Sequence, residues 1–396
     1  MTKLGDFFTD FSRIDLDARG GYARVAEVNS LKHKDNKIQQ RAFKLMRHEI
    51  DYERGMERFE RELQLLTSIN KDSKAPSTIT KLYESGYASV EMSYALHHRD
   101  SPDPKQDIHP TGTDIKEFIS QGRDLQKKDP GRWLPYLVVE LAPYNDSLLR
   151  QILHQPQDDP TGLYRLPTGE VIAMALQLLE VVDYLHEQHN RAYMDWKPEH
   201  IYWSGSRNRV KLIDWNVTAP LDEGPGIKQN IRDDIRLFCG AALYIGLTFV
   251  DPDDPTKKIG PRPTTELNTP VPEIRQRYWT DRPDFHQRGA MLDESIKEIV
   301  RKGLNPKNGY ESPQELRHVL VEYGKKELGI LESDLAFDAS PKSEYLMALA
   351  EIRAAQTQLL QAQQHLIEAT GIKGETREFT RMFETIKRAL RNFPLS

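Results

Sequence analysis

Between residues 171 and 214 the chain sets out an apolar helix, an acid-bearing loop and a second acid, and this run constrains the fold more than any other. Val171–His186 has apolar residues at helical spacing and ends in Tyr184-Leu185-His186. Asp195-Trp196-Lys197-Pro198-Glu199-His200 follows, then two short apolar runs, Ile201–Trp203 and Val210–Ile213, that read as strands. Asp214 closes the second strand, nineteen residues after Asp195. Two acids at the ends of neighbouring elements can serve one site, one orienting a hydroxyl and the other holding a metal on a polyphosphate. A lone Asp at a strand end is usually a turn or cap residue, so the reading depends on the residues that accompany these two.

That company lies upstream. Residues 14–30 and 39–46 read as strands around a polar turn, Lys32–Lys37. Ala18-Arg19-Gly20-Gly21-Tyr22-Ala23-Arg24-Val25 is a small-residue turn whose backbone leaves room for phosphates. Arg41-Ala42-Phe43-Lys44 puts a lysine on the next apolar strand. Burying that ammonium alone is costly, so a carboxylate partner is expected. Glu62 is well placed, on a helix read over Arg54–Ile69 with Phe59, Leu63, Leu66 and Ile69 as its apolar stripe. Ile79–Tyr87 and Leu137-Val138-Val139 read as further strands.

Taken in order, these pieces resemble the protein-kinase superfamily over about residues 14–325. Ala18–Val25 is similar to its Gly-rich loop, with Ala18 and Ala23 in place of two glycines. Ala42-Phe43-Lys44 resembles the strand whose lysine holds the α- and β-phosphates, and Glu62 the helix glutamate that pairs with it. Val139, Glu140, Leu141 and Ala142 resemble the segment that receives adenine, with Val139 as gatekeeper. Tyr193–His200 resembles the catalytic loop, and Asp214-Trp215-Asn216 the metal-binding Asp-Phe-Gly. Arg232–Tyr244 resembles a buried central helix for which either Asp233 or Asp234 supplies the anchoring acid, and Ile296–Leu320 the last two helices of the large lobe. His98-Arg99-Asp100 spells the catalytic triplet but precedes the adenine segment and lacks the lysine two residues on, so it reads as solvated loop.

The resemblance implies an α+β, two-lobed kinase-like fold: a β-rich lobe over 1–140, a helical lobe over 141–328, and a C-terminal extension over 340–396. It implies ATP as phosphate donor, bound by Gly20, Gly21, Val25, Ala42, Lys44, Glu62, Val139, Glu140 and Ala142. Asp195 and Lys197 are the implied catalytic pair and Asp214 the Mg²⁺ ligand. His200 stands where the family has a metal-binding Asn. Imidazole suits softer metals, so His200 as a ligand would weaken one metal site or favour Mn²⁺; otherwise it serves as a hydrogen-bond donor or simply packs. A His there also resembles certain bacterial lipopolysaccharide-core sugar kinases.

Other departures agree with one another. The stretch from Asp214 to Asp233 is too short for a full activation segment, and no Ala-Pro-Glu occurs. Met194 replaces the catalytic-loop Arg, and Tyr310 replaces the Arg that pairs with the missing Glu. Losing both partners of a buried pair avoids leaving one charge alone. Switching by activation-loop phosphorylation is therefore not expected, and any peptide platform must be rebuilt, for which Asp251–Pro283 is the available segment. Asn216 replaces Gly, and since Asn tolerates left-handed dihedrals better than most residues, that turn can still form. The implied acceptor is a protein Ser or Thr. A small hydroxyl compound (sugar, aminoglycoside or lipid headgroup) is the alternative, and a pseudokinase scaffold that binds nucleotide without transfer is a third.

Composition narrows the remaining classes. A net charge of −5 over 396 residues gives no basic footprint for nucleic acid. The single cysteine, Cys239, excludes an internal disulfide and fits a reducing, cytoplasmic setting. Leu237–Val250 is too short to span a bilayer and reads as a buried helix. Residues 92–132 are polar and read as an insertion or long loop with one helix near Ile115–Ile119. In the tail, Tyr345, Leu349, Ile352, Gln356, Leu359, Gln363 and Leu366 form a heptad-like seam, followed by a second helix bearing Phe379, Phe383, Ile386 and Leu390. The expected arrangement is a helical hairpin on its own chain, with a homodimer or partner coiled coil as the alternative.

Overall fold

Strand alternation and a few long apolar stripes account for most of the architecture. The computed structural model describes residues 2–4, 7–9, 21–30, 40–98, 108–142, 147–148, 166, 168–223, 226–248 and 292–328. The fold is α+β. Strands β1 (Thr2–Leu4), β2 (Phe7–Thr9), β3 (Ala23–Ser30) and β4 (Gln40–Met46) come first, then helix α1 (Tyr52–Lys71) and β5 (Leu82–Ser89). Helix α2 (Val90–His98), β6 (Ile108–Gly112), α3 (Ile115–Lys128) and β7 (Trp133–Glu140) complete this half. The strands join in the order β1-β2-β3-β4-β7-β5-β6, antiparallel throughout. Five of them, β3 to β7, carry the weight of the sheet, and the short β1 and β2 extend one edge.

Register decides which side chains meet. Val25 lies opposite Lys44, and Ala42 opposite Val139. Directly paired residues share a face, and side chains alternate along each strand. Val25, Ala42, Lys44 and Val139 therefore line one face, and Arg24, Phe43, Leu45 and Tyr136 the other. On the second face Phe43 and Tyr136 stack with ring centres 4.8 Å apart. Helix α1 covers the Lys44 face, where Glu62 meets that lysine. Helix α2 lies over the Arg24 face, where His97 meets Arg24.

The described residues of 92–132 are not a loop. They finish α2, form β6 on the sheet edge, and build α3 against α1, β5 and β7. Polar composition hid a sparse stripe: Phe118, Gly122 and Leu125 are buried at helical spacing, and Asp114 caps the helix by accepting from the Lys116 and Glu117 amides. Phe118 stacks on Tyr87 at 4.7 Å, and the Tyr87 hydroxyl donates to the Phe118 carbonyl. The expected helix near Ile115–Ile119 is present and runs on to Lys128. His98 is the last residue of α2. Arg99 and Asp100, Asp251–Pro283, and the helices expected over 340–396 lie outside the described residues.

The other half is mostly helical. It contains α4 (Thr168–His189), the strand pairs β8 (Arg191–Ala192) with β11 (Ala219–Pro220) and β9 (Ile201–Ser204) with β10 (Arg209–Leu212), then α5 (Ile227–Phe238). A π turn, Cys239–Tyr244, leads from α5 into α6 (Ile245–Thr248); α7 (Glu294–Leu304) packs on that turn, and α8 (Pro313–Tyr323) packs on α4 and α7. Helix α4 is buried on every side from Thr168 to Leu179, rather than along one stripe. Its one embedded amide is satisfied: Gln177 accepts from the Val210 amide at 3.1 Å and donates to the Asn208 carbonyl at 3.1 Å. The segment expected to be a buried helix, Leu237 onward, is buried through Thr248. No helix among the described residues is long and apolar enough to cross a membrane.

Candidate functional site

Where the sheet half meets the helical half, one ammonium joins both. Lys44 Nζ donates to Glu62 Oε2 at 2.7 Å and to Asp214 Oδ1 at 2.8 Å. The first partner comes from α1 and the second from the turn after β10, so three distant stretches of chain converge on one nitrogen. Burial opposes the lysine's charge, but Asp214 and Glu62 outweigh it and raise its pKa above the ordinary value. Burial likewise works against the Asp214 carboxylate, yet Lys44, with His200 next, holds its pKa well below the usual range. Glu62 goes the other way, raised by a burial that Lys44 only partly offsets.

Asp195 lies on the far side of Asp214. Lys197 Nζ contacts its Oδ1 at 2.7 Å. His200 bridges the two acids, with Nδ1 3.5 Å from Asp195 Oδ2 and Nε2 3.6 Å from Asp214 Oδ2. One ligand atom from each of Asp195, His200 and Asp214 lies within 4.8 Å of the others. Two carboxylates and an imidazole at that spacing fit a divalent cation, and the imidazole suits Mn²⁺ better than Mg²⁺.

The loop that carries Asp195 is held by an acid 39 residues further on. Asp234, fully buried on α5, accepts from the Tyr193 amide at 3.1 Å, the Met194 amide at 2.9 Å and Trp196 Nε1 at 2.8 Å. His186 Nε2 lies 2.9 Å from the same carboxylate. Asp234, not Asp233, is therefore the anchoring acid; Asp233 instead accepts from Gln229 at 3.0 Å. Four groups on one carboxylate fix a loop that has almost no regular structure of its own. The backbone is bent to suit: Met194 and Asp214 both have φ near +65°. Non-glycine residues rarely occupy that region, and such strain collects where surrounding contacts over-determine a geometry.

No protein-family model and no curated protein matches this chain.

Most of the residues expected at a site do come together. Lys44, Glu62, Asp195, Lys197, His200 and Asp214 form one connected cluster. Val25, Ala42 and Val139 lie on the sheet face that carries Lys44, and Ala142 is buried just beyond β7. The Glu140 side chain accepts from Lys211 at 2.7 Å and so ties β7 to β10. Gly21 lies two residues before β3, and Gly20 lies outside the described residues.

The turn forms without a left-handed Asn216. Asp214 takes that conformation instead, and the Asn216 side chain donates back to Asp214 Oδ1. Tyr310 is buried against Gly303 and Cys239, and its hydroxyl donates to the Ile299 carbonyl at 3.3 Å, so no charge is stranded there. Trp215 plays a part the sequence did not announce. It is fully buried, donates to Thr80 Oγ1 at 3.1 Å, and meets the Tyr193 ring edge-on at 5.1 Å. Asp214 is thus pinned between an anchored indole and a paired lysine.

Proposed function

We propose that this protein is an ATP-dependent phosphotransferase with a two-lobed kinase-like fold, transferring the terminal phosphate to a hydroxyl, with protein Ser or Thr as the acceptor. The observation that carries this reading is the Lys44 nitrogen, held by Glu62 at 2.7 Å and Asp214 at 2.8 Å beside the Asp195–His200 pair. An ammonium positioned by two carboxylates, next to a potential metal donor set and a separate acid, is what phosphoryl transfer requires.

In this mechanism Lys44 is aimed at the donor phosphates, with one of its three N–H groups left after Glu62 and Asp214 take the others. Asp195 accepts the hydrogen bond of the acceptor hydroxyl and directs its oxygen at phosphorus. Lys197, 2.7 Å from Asp195, offsets charge on the moving group. Asp214 and His200 are the side chains that would hold a divalent cation, whose chemistry is to neutralise the phosphate oxygens. Most of the rate gain then comes from positioning and fixed charge.

A second reading keeps the chemistry but gives it a small hydroxyl compound. The chain after Asp214 turns at once into β11, which pairs with β8, and enters α5 at Ile227. That leaves little backbone on which a peptide could lie.

The test is transfer of labelled γ-phosphate with Mg²⁺ and with Mn²⁺, using generic protein substrates beside a panel of hydroxyl metabolites. Asp195→Ala should keep ATP binding and lose transfer by about 10²–10⁴-fold. His200→Asn should shift the preference from Mn²⁺ toward Mg²⁺. Undiminished transfer by Asp195→Ala would rule the mechanism out.

A further inference from the structure

Arg58 stands one turn before Glu62 on α1, and residues four apart share a helix face. Its guanidinium carbon lies 3.6 Å from the centre of the Tyr22 ring, and that of Arg54 lies 5.6 Å from the same ring. Tyr22 directly follows the Gly20-Gly21 pair and leads into β3. Among the described residues no carboxylate forms an ion pair with Arg58, whose interaction is with that ring. Burial pushes the Arg58 pKa down, and the charges of Asp195 and Asp214 only partly offset it. Two guanidiniums four residues apart on a helix repel, and a half-buried cation with no anion is costly. An anionic ligand beside these two guanidiniums would relieve both.

The donor count points the same way. Glu62 and Asp214 occupy two of the Lys44 donors, which leaves that ammonium one N–H for a triphosphate. We propose that Arg58, held flat against Tyr22, binds the terminal phosphate of the nucleoside triphosphate. The inference rests on the phosphotransferase reading and adds a residue that the motif comparison did not include. A planar guanidinium offers paired donors that match phosphate oxygens, which an ammonium does not.

The test is equilibrium binding of ATP and of ADP, each with Mn²⁺, to the full chain by titration calorimetry. Arg58→Ala should weaken ATP about 10–100-fold and leave ADP nearly unchanged. Arg58→Lys, which keeps charge and length and guards against misfolding, should lose an intermediate amount. Tyr22→Leu should lose part of the ATP preference by freeing the guanidinium. Equal weakening of both nucleotides, or no change in either, would overturn the assignment while leaving the wider reading intact. So would an effect confined to the KM of the acceptor. Wild-type protein that binds neither nucleotide would overturn both.

Discussion

The two halves of the site are held in place by different means. Lys44 sits on a strand whose register with β3 and β7 leaves it no choice of face. Asp195 sits on a loop that owes its shape to Asp234 on another helix. A strand-borne residue is fixed by many equivalent backbone bonds, so losing one neighbour changes little. A loop-borne residue is fixed by a few convergent bonds, so losing the hub releases everything at once. The halves should therefore respond unequally to substitution.

The most severe break is Asp234→Ala, which leaves two amides, an indole N–H and His186 without their acceptor. A loss of about 3–5 kcal/mol in denaturant unfolding is expected. Asp234→Asn should lose less, and a loss below 1 kcal/mol for alanine would deny the hub its role. On the sheet side, Lys44→Met strands two carboxylates and should cost about 3 kcal/mol. Adding Glu62→Leu should recover much of that, because the strand keeps its place without the pair; failure to recover would show that the ion pair, not register, holds this half. Gly122→Val probes the contact between α3 and β5, since a Cβ there meets the Tyr87 hydroxyl. The expected cost is about 1–3 kcal/mol, and none would mean that α3 is a loosely attached insertion.

The smallest effect lies away from the site. Burial, and then Glu187, push the Asp183 carboxyl up to about 6, although Gln314 donates to it at 2.7 Å. The folded protein then holds this proton more tightly than the unfolded chain. Stability falls as pH rises from about 4 to about 6, and the penalty is complete above that. Asp183→Asn should gain on the order of 1 kcal/mol at pH 7, after allowance for partial exposure, and nothing at pH 4. Unfolding midpoints at the two pH values check it, and an equal effect at both would remove Asp183 as the cause.

Some of this was legible without coordinates. The strand around Lys44, the helix bearing Glu62, the strands before Asp214 and the two helices near the end of the described chain follow from local periodicity, and their boundaries lie within a few residues of those observed. The pairing of Lys44 with Glu62 followed from the cost of burying an ammonium alone. Residues 92–132 were misread because α3 needs only three buried side chains to dock, too few to stand out against a polar background.

What sequence determined by itself was the set of chemical groups and the local elements that carry them, because helix and strand periods are properties of neighbouring residues. What only tertiary structure decided was which acid anchors the loop and which residue accepts the left-handed strain. Asp233 and Asp234 are adjacent in the chain and similar in chemistry. They differ because α5 turns one toward the Tyr193–Trp196 backbone and leaves the other to Gln229. That choice is made by packing between elements far apart in sequence, and a local pattern holds no record of it.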